Sequence, residues 1–314
     1  MAQDIISGLT DVPKSIPSKY FYDARGSEIF RKIMRMPEYY LTNAEAEIFE
    51  VQGNAILDHF SQHSDRVDLV ELGAGDGSKT SILVRMMINR SIPFRYIPVD
   101  ISEKANRTLM KKMTEQFSNI EIETKTGDYF DMINELGQEY RDGKIIMFLG
   151  SNLGNYSHRQ SVEFLEKLAS AMKSQDRLFL GLDLKKDPAV IRSAYDDPHG
   201  FTEAFNMNLL ERLNRELEAS FIPDNFIHAP TYDPHSGIAK SYLVSRKNHQ
   251  VSLGQTGTVI TFDKWETICT EMSQKYDQDH ISEIAEAAGF EIENNFFDSR
   301  SWFVNSLWRL KDRE

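Results

Sequence analysis

Val67-Asp68-Leu69-Val70-Glu71-Leu72-Gly73-Ala74-Gly75-Asp76-Gly77-Ser78-Lys79 is the stretch that decides the fold. It opens with a short apolar run ending in glycines, and Ser78–Asn89 then reads as a helix. Strand, glycine loop and helix in succession mark the start of an open α/β sheet, whose ligands bind in the crevice beyond the strands' C-terminal ends. Glycines belong where a chain turns tightly and where backbone must touch a ligand. A ligand in this loop would meet a helix N-terminus, which favours negative groups.

The alternation continues outward from the loop. Phe94–Val99 is a second strand, followed by a helix that Ser102 caps, and Ile120–Thr124 is a third. Ile145–Leu149 is nearly all apolar, as a strand covered on both faces requires. Ser157 and Gln160 have capping-box spacing, Val162, Leu165, Leu168 and Met172 share a helical face, and Leu178–Leu184 is a fifth strand. Five such alternations predict a parallel sheet covered by helices. Upstream, Ser27 is placed to cap a helix with Ile29, Phe30, Ile33 and Met34 on one face, ending before Pro37. After residue 186 the rhythm changes. Asp187-Pro188 opens helical material that runs to about Ser220, and His228–Leu253 reads as strands joined at Asp233-Pro234-His235-Ser236-Gly237. The α/β pattern resumes with a helix over Ile281–Ala288, stopped by Gly289, and two strands, Phe290–Phe297 and Trp302–Arg309. The core sheet is thus expected to close with C-terminal residues, across an insertion.

A chain of 314 residues, 40% hydrophobic and 27% charged, has ample material for a packed core. Its net charge of −12 opposes contact with nucleic acid and with anionic membrane surfaces. No span is long and apolar enough for a bilayer, no signal peptide is visible, and the single cysteine, Cys269, excludes an internal disulfide. These features predict a cytoplasmic protein. His59 and His63 have helical i, i+4 spacing but lack a third metal ligand, so they read as a surface pair, and no metal site is expected. Glu38, Glu45 and Glu47 read as a solvated helix start, and Cys269 as a buried small residue.

The glycine spacing bears on the cofactor. The dinucleotide fingerprint is G-x-G-x-x-G, whereas here it runs G-x-G-x-G, with Ser78 where the third glycine would fall and Glu71 two positions before the first. The E/D-x-G-x-G-x-G form resembles the first motif of class I methyltransferases, and an acidic residue there suits an ammonium group better than a phosphate. Asp100 ends the second strand, where a carboxylate can accept both ribose hydroxyls. Asp128 and Tyr129 follow the third strand, where the resemblance places contacts to adenine, and Lys79 is within reach of a cofactor carboxylate. On loop spacing alone a nicotinamide-dependent oxidoreductase stays open beside a methyltransferase.

Further segments narrow the choice: Phe21-Tyr22-Asp23-Ala24-Arg25-Gly26-Ser27, Pro37-Glu38-Tyr39-Tyr40, Phe148-Leu149-Gly150-Ser151-Asn152-Leu153-Gly154-Asn155, Ala194-Tyr195-Asp196-Asp197-Pro198, Phe205-Asn206-Met207-Asn208-Leu209-Leu210 and Thr270-Glu271-Met272-Ser273. In this order around the glycine loop, they resemble the histidine-specific Nα-methyltransferases of ergothioneine biosynthesis, from about residue 12 to the C-terminus. The resemblance implies conversion of L-histidine to its trimethylammonium betaine, hercynine, by three transfers from S-adenosyl-L-methionine. It implies a Rossmann-like class I methyltransferase sheet (residues 43–185 plus 275–314) and a second, α+β substrate domain (residues 1–42 plus 186–274).

Position by position, the resemblance assigns Tyr39, Asn155 and Tyr195 to the α-carboxylate and backbone end of the amino acid, Tyr22 to the amine, and Glu271 with Ser273 to the imidazole. The cofactor set is Gly73, Gly75, Gly77, Lys79, Asp100, Asp128 and Tyr129. One departure concerns the ring: Ser241 falls where the family has a methionine against the imidazole. A methyltransferase for another amino acid or biogenic amine is the alternative that this serine keeps open. The expected partner is a small-molecule substrate, with no nucleic acid and no membrane, and the expected state is a monomer.

Overall fold

In the computed structural model, which describes residues 1–62, 66–127, 129, 131, 132, 135, 143–254 and 256–311, the opening stretch folds as its pattern predicts. The elements, in chain order, are α1 (Ala2–Thr10), β1 (Lys14–Ser15), α2 (Ala24–Ile33), α3 (Tyr40–Phe60), β2 (Val67–Leu72), α4 (Thr80–Asn89), β3 (Phe94–Asp100), α5 (Glu103–Gln116), β4 (Lys125–Thr126), β5 (Lys144–Phe148), α6 (His158–Ala171) and β6 (Arg177–Asp183). Then follow α7 (Pro188–Tyr195), α8 (Phe201–Leu217), β7 (Phe226–Asp233), β8 (Ile238–Ser245), β9 (His249–Leu253), β10 (Thr258–Phe262), β11 (Thr267–Gln274), α9 (Gln278–Ala287), β12 (Phe290–Phe297) and β13 (Phe303–Leu310). They divide into two compact units, Leu41–Leu184 with Tyr276–Glu314, and Met1–Tyr40 with Lys185–Lys275.

The first unit carries a seven-stranded sheet in the order β12-β13-β6-β5-β2-β3-β4. The strands β2 to β6 run parallel, as the alternating pattern predicts, and β13 runs antiparallel to β6, which together make the Rossmann-like sheet that the resemblance implies. Every residue of β2, β5 and β6 is buried, as mainly apolar strands between helical layers should be. The chain winds outward from β2 through β3 to β4, then returns to place β5 on the other side of β2. The reversal opens a crevice at the C-terminal ends of β2 and β5. The glycine loop follows β2, and the turn Asn152–Asn155 follows β5. Ser102 caps α5 by accepting from Ala105 N, and Ser157 with Gln160 forms the expected capping box on α6.

The third strand departs from expectation. Ile122 makes a single bridge to Tyr96, and the ladder of β4 forms only at Lys125–Thr126. The cause is Pro98. Tyr96 uses its N–H and C=O toward Glu121 and Glu123, so Pro98, two residues on, turns the same way with no N–H to give.

The second unit has a four-stranded sheet, β1-β11-β8-β7, and a β9-β10 hairpin. The N-terminal residues join it through β1, parallel to β11, and through a shared core in which Phe21 stacks on Phe205 at 4.4 Å and Ile5, Ile29, Leu209, Leu243 and Ile268 are buried. The cap of α2 is Asp23, not Ser27. Its carboxylate accepts from Gly26 N at 2.6 Å and from Asn208 Nδ2 at 3.0 Å, so the long-range partner fixes the helix start one turn earlier. No described helix is long and apolar enough to cross a membrane.

Candidate active site

Three glycines in left-handed backbone shape the loop after β2, with φ of +69° at Gly73, +57° at Gly75 and +66° at Gly77. At Gly73 a Cβ would stand 2.6 Å from the hydroxyl of Tyr129, so Tyr129 lies over bare backbone there. At Gly75 a Cβ would meet nothing within 4 Å, so the loop is open where a ligand would approach. Asp100 ends β3 half-buried. Its Oδ1 accepts from Ser102 N at 2.8 Å, and burial raises its pKa while that hydrogen bond opposes the shift. Tyr129 turns its ring edge-on to Phe148 at 6.0 Å. Asp128 lies outside the described residues. An open glycine loop, a tyrosine over it and a carboxylate on the next strand fit a nucleoside cofactor: Asp100 would hold its ribose hydroxyls, and the Gly73–Gly77 backbone its amino-acid end.

Glu71 does a different job from the one its position suggests. It is 3% exposed and accepts from Thr80 Oγ1 at 2.7–2.8 Å and from the Tyr96 hydroxyl. It therefore braces the loop from behind. Burial pushes its carboxyl up to about 7, against the hydrogen bonds from Tyr96 and Thr80 and the charge of Lys79.

Glu45, expected on a solvated helix start, is 0% exposed. It accepts from Lys79 Nζ, from Gly150 N at 3.0 Å and from Asn305 Nδ2 at 3.0 Å. One carboxylate thus ties the start of α4, the loop after β5 and strand β13 together, and it holds the lysine assigned to the cofactor. Asn155, at the end of the turn after β5, is exposed, and Asn152 Nδ2 lies 3.6 Å from the Cβ position of Gly73. His59 is half-buried against Glu293 and Asn294 at 3.2 and 3.0 Å rather than part of a surface pair, and His63 lies outside the described residues.

The second unit gathers its assigned residues into two groups. Tyr22 and Tyr39 both set their rings edge-on to Phe30, at 5.4 and 6.1 Å, and Tyr22 also meets Phe205. Tyr22 is 49% exposed. The other group is polar and lies on β8 and β11. These strands are antiparallel, with a bulge at Thr270 between the pairs Cys269–Tyr242 and Glu271–Ser241. The extra residue sets Glu271 directly opposite Ser241, whose Oγ donates to Glu271 Oε2 at 3.0 Å. Thr270 Oγ1 pins the bulge, 2.6 Å from Asn206 Oδ1 and 3.0 Å from Ser241 O. Burial raises the pKa of Glu271, and the Ser241 hydrogen bond and the Lys275 charge oppose it. Cys269 is half-buried beside this bulge, its thiol 3.6 Å from Glu271 O, and burial raises its pKa.

Lys275 was not among the residues singled out by pattern. It is 0% exposed, and its Nζ donates to the Tyr195 hydroxyl and to Ser273 Oγ, both at 2.8 Å. Two assigned side chains, Tyr195 at the end of α7 and Ser273 on β11, therefore meet at one ammonium, with Glu271 in its field. It stands just beyond β11, two residues after Ser273, and nothing in its own sequence neighbourhood set it apart.

The chain matches the family model described as "Histidine-specific methyltransferase, SAM-dependent" over residues 1–310. A histidine N-alpha-methyltransferase of Mycobacterium tuberculosis is 36% identical over 290 residues, covering 92% of this chain and 88% of that one. One of Mycolicibacterium smegmatis is 35% identical over 288 residues, covering 91% and 88%. Among solved structures, a protein of Pyrococcus horikoshii OT3 shares the fold with a TM-score of 0.50 at 12% identity, over 92% of this chain and 100% of that chain.

Proposed function

This chain belongs to the family of S-adenosylmethionine-dependent, histidine-specific methyltransferases, and on that premise we propose that it trimethylates the α-amine of L-histidine to give hercynine. Its sheet is that of a class I methyltransferase, and its methyl donor is S-adenosylmethionine. We assign cofactor binding to the unit of Leu41–Leu184 with Tyr276–Glu314, and the amino acid chiefly to the unit of Met1–Tyr40 with Lys185–Lys275.

The observation that carries the histidine reading is the pairing of Glu271 and Ser273 on β11, two residues apart and so on one face of the strand. A carboxylate accepts a ring N–H, and a hydroxyl serves the other ring nitrogen. Ser241 supports this reading in spite of its size. Where a methionine would lie against the ring, this chain has a hydroxyl that fixes Glu271 from across the ladder. Tyr195, Tyr39 and Asn155 are assigned to the carboxylate end and Tyr22 to the amine. Gly73, Gly75, Gly77, Lys79, Asp100, Asp128 and Tyr129 are assigned to the cofactor.

Bound S-adenosylmethionine would supply a sulfonium methyl whose carbon takes the amine lone pair in line as the C–S bond breaks and S-adenosylhomocysteine leaves. The chain's residues contribute position: a neutral amine held in line gains most of its rate from orientation. Gripping the ring and the carboxylate leaves the α-nitrogen as the one mobile nucleophile. Each transfer releases a proton from nitrogen until the third leaves a quaternary centre with none to lose.

A competition assay tests the reading. Offered L-histidine, L-tryptophan and histamine together with S-adenosylmethionine, the protein is expected to methylate L-histidine with the highest kcat/KM. Preference for another amine would overturn the acceptor while leaving the family intact.

A further inference from the structure

Lysine is almost never fully buried without compensation, and a leucine or methionine would fill such a place at less cost. Lys275 is nevertheless fully buried, and its ammonium contacts two hydroxyls rather than filling space. An ammonium is a donor only. At both contacts the hydroxyl oxygen is therefore the acceptor, and each hydroxyl must direct its own hydrogen elsewhere. The ring of Tyr195 also lies 5.0 Å from the same Nζ, which holds that side chain in place.

We propose that Lys275 is a positioning residue that turns the Tyr195 and Ser273 hydroxyls into donors toward the substrate, and thereby restricts the ring site to a side chain presenting one N–H and one unprotonated ring nitrogen. The proposal rests on the histidine reading above. Ser273, acting as a donor, requires an acceptor nitrogen on the ring. Glu271, already accepting from Ser241, requires a ring N–H. A neutral imidazole satisfies both. Indole lacks the acceptor, imidazolium lacks it as well, and a thiophene ring offers neither group. Tyr195, acting as a donor, suits the α-carboxylate, which is an acceptor only. Lys275 therefore sets the polarity of two contacts without touching the substrate itself.

The test uses the full chain with S-adenosylhomocysteine present and two probes, L-histidine and β-(2-thienyl)-L-alanine, whose ring has similar size but no nitrogen. Lys275→Met is expected to weaken L-histidine by about 10-fold or more, as loss of a charge-assisted network would, and to leave thienylalanine and S-adenosylhomocysteine within about twofold. Ser273→Ala should cost less in the Lys275→Met background than in the wild type, because coupled residues are not additive. Equal weakening of both amino acids would reveal a purely structural lysine and overturn the proposal, as would unchanged histidine binding. If Lys275→Met does not fold, Lys275→Gln, whose amide still donates but reaches less far, is measured with the same pair of probes and is expected to lose part of the discrimination. Unchanged discrimination in that variant also overturns the proposal. Failure of the wild type to bind L-histidine is a separate result that overturns the histidine reading itself.

Discussion

At the scale of single residues, the account turns on two carboxylates with different tasks, Glu271 half-buried and Glu71 buried. Glu271 shares one oxygen with Ser241 and is assigned to the ring N–H. Replacing it by glutamine keeps the volume and removes the charge. Glu271→Gln should raise the KM for L-histidine by about 10- to 100-fold, the worth of a hydrogen bond to a charged group. Affinity for S-adenosylhomocysteine should stay within about twofold, and calorimetric titration of each ligand checks the split. Glu71 does its work through pH. In an unfolded chain its carboxyl titrates near 4.5, and in the folded chain near 7. Between those values the folded state keeps a proton that the unfolded state gives up. The resulting stabilisation is complete below pH 4.5 and is lost as pH rises through about 7, on the order of 3 kcal/mol in all. Glu71→Gln should flatten that fall, as followed by urea denaturation across the range. Parallel pH profiles for the two proteins would show a carboxylate that stays ionised.

At the scale of elements, what the sequence revealed depended on how local the cause was. The buried strand before Gly73, the cap at Ser102 and the capping box at Ser157 are set by neighbours a few residues away, so pattern alone located them. β11 was not read as a strand because Thr267-Ile268-Cys269-Thr270-Glu271-Met272-Ser273-Gln274 carries polar residues on both faces and a bulge that breaks its alternation. The bulge depends on Asn206, 64 residues away. Thr270→Val keeps the shape but takes away the hydroxyl, leaving Asn206 Oδ1 buried without its partner. A destabilisation of about 1–3 kcal/mol is expected, together with weaker L-histidine binding as Glu271 loses its register opposite Ser241. Denaturant unfolding measures the first and titration the second. Full stability with unaltered affinity would mean that the bulge needs no pin.

At the scale of the molecule, the chain leaves a parallel sheet after β6, builds a unit around β7, β8 and β11 with its own N-terminal residues, and re-enters the sheet through α9, β12 and β13. The sheet was legible because its central strands are mainly apolar and its glycine loop is local. The roles of Glu45 and Lys275 were not. Glu45 is defined by Asn305, 260 residues on, and Lys275 by Tyr195, 80 residues back. In sequence each is an ordinary charged residue on an amphipathic segment, and only the fold turns it inward. The resemblance assigned residues to the substrate, and the structure adds what holds those side chains: a serine behind Glu271, a threonine at the bulge, and one lysine behind the Tyr195 and Ser273 hydroxyls. The central claim, that these groups grip the ring so that only the α-nitrogen reacts, is tested most directly by fragmentation mass spectrometry of the products formed from L-histidine over time. The account predicts one, then two, then three methyl groups, all on the α-nitrogen with the imidazole unmodified; methyl groups on a ring nitrogen, or none on histidine at all, would contradict it.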